Sequence, residues 1–193
     1  HMVEYGDIFC TGVGINMFLD IDERLKTMLN FSELFLEGDY SSYDQSMPMD
    51  ISSAASRVVS NVLRELGYND DAMRIVDGIL SENLYPWVSM NTDVFNRPGL
   101  QPSGKYGTAE DNSLKGLILL MYAWYSNPDL AHKDFFEHVM PITYGDDILA
   151  SVKPDVGDLF NNLTYQKFCK DNYNMSFTDA SKSGTMKKFL NFH

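Results

Sequence analysis

The stretch from Val139 to Val152 constrains the fold most. Val139, Met140 and Ile142 precede the tetrapeptide Tyr144-Gly145-Asp146-Asp147, and Ile148, Leu149 and Val152 follow it. Two apolar runs joined by a tight, glycine-containing turn read as a β-hairpin. Gly145 permits the reversal because it has no Cβ. The tip then carries two adjacent carboxylates, which repel each other unless a cation or water lies between them. Magnesium prefers hard oxygen ligands of this kind and often shares them with substrate phosphates. An ordinary polar turn accounts for the tetrapeptide equally well, since Gly-Asp is common in turns.

The rest of the chain alternates strands and helices. Leu19, Leu25, Met28 and Leu29 support a short helix after Asp20, and residues 33–39 (ELFLEGD) read as a strand running into a polar turn. Pro48 suits the first residue of a helix reaching about Leu66 and ended by Gly67. Asp70 can cap the next helix, and residues 85–97 look extended. Asn96 to Gly107 is dense in Gly and Pro and reads as a loop. A long helix from about Thr108 to Tyr125 is broken at Asn127-Pro128. Asp155 to Asp171 reads as helical, and Met175 to Phe177 as a short strand. The expected class is α+β, with an antiparallel sheet and helices packed on one face.

Composition limits the function classes. The net charge of −12 argues against a free-standing nucleic-acid binder, whose affinity comes mainly from Lys and Arg. Cys10 and Cys169 are the only cysteines, which suggests no disulfide framework and fits a reducing compartment. The longest apolar run, Leu117 to Trp124, is too short to span a bilayer. His1-Met2 ahead of Val3 looks like a cloning remnant, so the natural chain is expected to begin upstream.

Two further segments could carry chemistry. Gly38-Asp39-Tyr40-Ser41-Ser42-Tyr43-Asp44 places Asp39 at the end of an apolar strand, where a carboxylate can face a site beyond the sheet. Asp44 lies after a turn, and Asp44 or Ser46 could equally cap the helix at Pro48. Ser103-Gly104 forms a pliable loop before the long helix, and Thr108 and Asn112 share one face of that helix. A plain connector with Thr108 as N-cap is the simpler reading of that segment.

Taken together and in order, these segments resemble the RNA-dependent RNA polymerases of picornavirus-like positive-strand RNA viruses. Asp39-x4-Asp44 looks like their motif A, and Ser103-Gly104-x3-Thr108-x3-Asn112 looks like motif B. Tyr144-Gly145-Asp146-Asp147 looks like motif C, and Thr178-Asp179-Ala180-Ser181-Lys182-Ser183 resembles motif D. A joint match is far more specific than any one motif.

The resemblance implies a polymerase palm with part of the fingers inserted: palm at 1–49, partial fingers at 50–100, palm again at 101–193. It implies that Asp39 and Asp146 coordinate two magnesium ions, with manganese as an alternative, and that Asp147 assists nearby. Asp44 and Asn112 would recognise the ribose 2′-hydroxyl, supported by Thr108. Ser103 and Gly104 would contact template or incoming nucleotide, and Lys182 would donate a proton to pyrophosphate. The implied partners are RNA template and primer, ribonucleoside triphosphates, and the fingers and thumb segments of the same polymerase. The implied location is the host-cell cytoplasm, at replication complexes.

Motif E is not recognisable, and the upstream fingers and the thumb are expected to lie outside these residues. Weak activity of the chain alone follows from that expectation. So does association through apolar surface that those segments would otherwise cover. The rival readings are a reverse transcriptase-like palm, which would lack the Asp44 and Asn112 pairing, and a noncatalytic folding or interaction module.

Overall fold

The structure is a computed structural model and describes residues 5–16, 18–102, 104–179 and 185–190. In chain order its elements are α1 (Ile21–Phe31), β1 (Phe35–Tyr40), α2 (Tyr43–Ser46), α3 (Met49–Glu65), α4 (Asp70–Leu84), β2 (Trp87–Met90) and β3 (Asp93–Asn96). There follow α5 (Thr108–Tyr125), α6 (Phe135–His138), β4 (Val139–Tyr144), β5 (Asp147–Val152), a 3-10 turn at Pro154–Val156, α7 (Asn162–Tyr173) and β6 (Phe177–Thr178). They form two compact units, His1–Ser41 with Ala109–His193, and Ser42–Thr108.

The first unit is built on a four-stranded sheet ordered β4-β5-β1-β6, antiparallel throughout. The register pairs Leu36 with Ala150, Gly38 with Ile148, and Tyr40 with Phe177. Side chains alternate across a sheet, so these residues share one face. That face is the core: Leu36, Tyr40, Ile148, Ala150, Val152 and Phe177 are all buried. Helix α7 closes it, with the Tyr165 ring edge-on to Phe177 and the Tyr165 and Tyr40 hydroxyls hydrogen-bonded. Trp124 of α5 packs edge-to-face with Phe135 and Phe160, and its indole N–H donates to the Lys133 carbonyl at 3.1 Å. Fully burying aromatic side chains such as these stabilises by roughly 1.5–3 kcal/mol each.

The opposite face carries Phe35, Glu37 and Asp39 on β1, and Asp147, Leu149 and Ser151 on β5. Among the described residues its far end is the most covered. There the buried Ser151 hydroxyl lies 2.9 Å from the Met28 carbonyl of α1 and 2.7 Å from that of Ser32. Exposure rises along both strands toward the end that bears the aspartates.

In the second unit α3 packs on α4. Asp77 accepts from the Ser60 hydroxyl at 2.8 Å and from the Arg64 guanidinium at 2.7 Å. Gly67, at φ +83°, ends α3 as expected. Strands β2 and β3 form a separate hairpin.

Several boundaries differ from the sequence reading. Pro48 is the residue before α3 rather than its first. Asn69, not Asp70, caps α4, because its side chain accepts from the Ala72 amide. Helix α7 starts at Asn162 rather than near Asp155. Asn161 caps it by accepting from Leu163 and Thr164, while the Thr164 hydroxyl accepts from the Asn161 amide.

Candidate active site

The hairpin turn is built as its residues require. Tyr144 pairs with Asp147, so the loop has two residues, Gly145 and Asp146. Gly145 has φ +62°, whereas Asp146 lies outside the positive-φ region. This combination matches a type II′ turn, whose first central position favours glycine. Nothing stands within 4 Å of where a Gly145 Cβ would lie, so backbone conformation demands this glycine and space does not.

The sheet register brings the turn to motif A. Gly38 pairs with Ile148, so Asp39, one residue further along β1, lies level with Asp147, one residue back along β5. Asp39 also pairs with Thr178 of β6, and Asp179 follows directly. The electrostatics agree with this convergence. The Asp147 carboxyl is pushed above the usual aspartate range, first by desolvation and then by the charges of Asp146 and Asp39. Glu37 is raised likewise, by desolvation and then by Asp179 and Asp147.

Five carboxylates, Glu37, Asp39, Asp146, Asp147 and Asp179, therefore share one field at the open end of the sheet. Glu37 and Asp179 had no role in the sequence reading. The signal for Glu37 was its position two residues before Asp39, which places both on one face of a strand. A cavity of about 690 Å³ elsewhere in this unit, lined by Cys10, Arg24, Met140 and Ile142 among others, includes none of the five.

The donor set is all oxygen, which suits magnesium or manganese rather than softer metals. Among the described residues no three acidic, histidine or cysteine side chains form a ready-made metal cage. A site that holds its ion through one or two carboxylates and leaves other positions to phosphate oxygens needs none.

The same unit holds Asn112, buried on α5 one turn beyond the helix start. Its neighbour Ser113 reaches the turn, since the Gly145 amide donates to the Ser113 hydroxyl at 2.9 Å. In the second unit Asp44 lies in the first turn of α2, and its carbonyl accepts from the Gln101 amide at 2.9 Å. Asp44 and Ser46 do not cap α3, whose N-cap is Pro48 with no side-chain hydrogen bond. Thr108 opens α5, and its hydroxyl donates to the Lys105 carbonyl at 2.6 Å, bracing the preceding loop. Gly104 lies exposed in that loop. Ser103 and Lys182 lie outside the described residues.

An antiparallel sheet with carboxylates on a strand end and the adjoining hairpin tip defines the class: a polymerase palm of α+β architecture. The chain belongs to the viral RNA-dependent RNA polymerase family, which it matches over residues 3–193. It is 30% identical over 155 residues to the genome polyprotein of Deformed wing virus, covering 79% of this chain and 5% of the polyprotein. It is 27% identical over 172 residues to the replication polyprotein of Nora virus, covering 88% of this chain and 8% of that polyprotein. The fold is that of the Sicinivirus 3Dpol RNA-dependent RNA polymerase, with a TM-score of 0.76 at 18% identity, covering 96% of this chain and 37% of that one.

Proposed function

We propose that this chain carries the catalytic core of an RNA-directed RNA polymerase that adds ribonucleotides to an RNA 3′ end during viral genome replication. The observation that carries the reading is the register that sets Asp39 beside the Asp146-Asp147 turn. Magnesium or manganese held by Asp39 and Asp146 would supply activation of the primer 3′-hydroxyl and neutralisation of charge on departing pyrophosphate. The protein's own part is largely positioning, as is usual in phosphoryl transfer. β1 and the hairpin hold their carboxylates on rigid backbone at the open end of the sheet. Asp147 adds charge close by.

Asp44 and Asn112 would read the ribose 2′-hydroxyl, the group that separates RNA from DNA precursors. Thr108 braces the chain at Lys105, and Ser103 and Gly104 would lie against template or nucleotide. Lys182 would protonate pyrophosphate. The net charge of −12 leaves the grip on RNA to fingers and thumb segments of the same polymerase. Replication of this kind would run in the host cytoplasm.

The test is Asp146→Ala in the complete polymerase, assayed by primer extension. Losing several kcal/mol of charge stabilisation predicts a fall in elongation of about 10³-fold or more. Elongation at the wild-type rate would sink the metal assignment.

A further inference from the structure

The Gly145 amide needs an acceptor from outside its hairpin. In a two-residue loop the strands pair Tyr144 with Asp147, and the Gly145 N–H lies outside that ladder. A buried or half-buried amide without a partner is costly. The acceptor is the hydroxyl of Ser113, at 2.9 Å, from a helix 32 residues earlier in the chain. Ser113 is 1% exposed, so water does not compete freely for it. Its own proton goes to the Ala109 carbonyl at 2.7 Å, one turn back along α5. Each end of that hydroxyl is therefore committed. Ser113 also directly follows Asn112, the residue assigned above to the ribose.

We propose that Ser113 is a positioning residue for nucleotidyl transfer. Its hydroxyl joins the first turns of α5 to the backbone of the carboxylate turn, and so sets the direction in which Asp146 presents its oxygens. Ser113 itself touches no reacting atom. It acts through Gly145, whose neighbour carries the carboxylate. The inference rests on the polymerase reading for its effect on rate. The hydrogen bond itself can be tested without that reading.

Three variants of the complete polymerase separate the outcomes. Ser113→Ala removes the acceptor. Ser113→Thr keeps the hydroxyl, which on a helix can bond the carbonyl four residues back in the same way. Ser113→Cys keeps the shape with a much weaker acceptor, and serves if the alanine variant does not fold. Two experiments read them out: hydrogen exchange over a peptide containing Gly145, and kcat and KM for nucleotide across a magnesium titration.

The alanine or cysteine variant should exchange the Gly145 amide at least tenfold faster. It should lose about 10- to 100-fold in kcat with little change in nucleotide KM, as a small misplacement of a reacting group does. Its half-saturating magnesium concentration should rise. Threonine should restore all three to within about threefold of wild type. Wild-type kcat and magnesium dependence in whichever of the alanine and cysteine variants folds would overturn the proposal. So would unchanged Gly145 exchange. If Asp146→Ala retains elongation, the metal assignment and the expected effect of Ser113 on rate fail, while the exchange result still decides the Ser113 contact.

Discussion

Asp147 is held against its own electrostatic preference. Desolvation and the charges of Asp146 and Asp39 raise its pKa, so the folded chain retains that proton more readily than the unfolded chain does. The contribution to stability is therefore unfavourable to folding once Asp147 ionises. It grows as pH climbs from the ordinary aspartate range through the raised value, and stays in full above both. Without divalent cations, Asp147→Asn should melt at a higher temperature than wild type near neutral pH. The gap should close at about pH 3, where the wild-type carboxyl is protonated. Saturating magnesium should stabilise wild type more than the variant. A lower melting temperature for the variant at neutral pH would contradict this account. The residue scale is also where the sequence reading fell short. Glu37 was read only as part of a strand, and its coupling to Asp179 and Asp147 places it in the acidic field.

At the scale of elements, β6 pairs with β1 and so brings Asp179 next to the partner of Asp39. It runs antiparallel beside β1, and the Phe177 ring and the Thr178 carbonyl lie against the bare Cα of Gly38. A Cβ there would stand 2.7 Å from the Thr178 oxygen and would press on the ring as well. Backbone and ring must both move to admit it. Gly38→Ala should cost about 1–3 kcal/mol, read as a lower urea midpoint at unchanged slope. An unchanged midpoint would mean that β6 is not seated as described. Most elements were legible in the sequence because their signals are local: the apolar alternation around Tyr144–Asp147, the break at Asn127-Pro128, the stop at Gly67. The start of α7 was not. Asp155 offers a plausible acidic first turn, but it lies within a 3-10 turn, Pro154–Val156. Asn161 and Thr164 make the reciprocal cap that nucleates the helix. Asn69 and Asp70 have equally suitable side chains, and backbone geometry chose between them.

At the scale of the whole molecule, charge sets what these 193 residues can do alone. A chain with 27 acidic and 15 basic residues repels the phosphate backbone. Its affinity for a primer-template RNA at physiological salt should be weaker than the ~10⁻⁴–10⁻⁶ M of ordinary non-specific binders, as fluorescence anisotropy would measure. Tighter binding would show that a basic surface had been overlooked. The amino-acid sequence by itself determined the hairpin, the long α5 helix and the order of the acidic motifs. Those follow from side-chain periodicity and turn chemistry, which act over a few residues. It also marked Asp39 and Asp146 as candidates. Only the tertiary structure decided that these two stand together, that Glu37 and Asp179 join their field, and that Ser113 braces the turn. Such pairings depend on strand register and helix placement, which link residues more than 30 and up to 140 positions apart and leave no local trace.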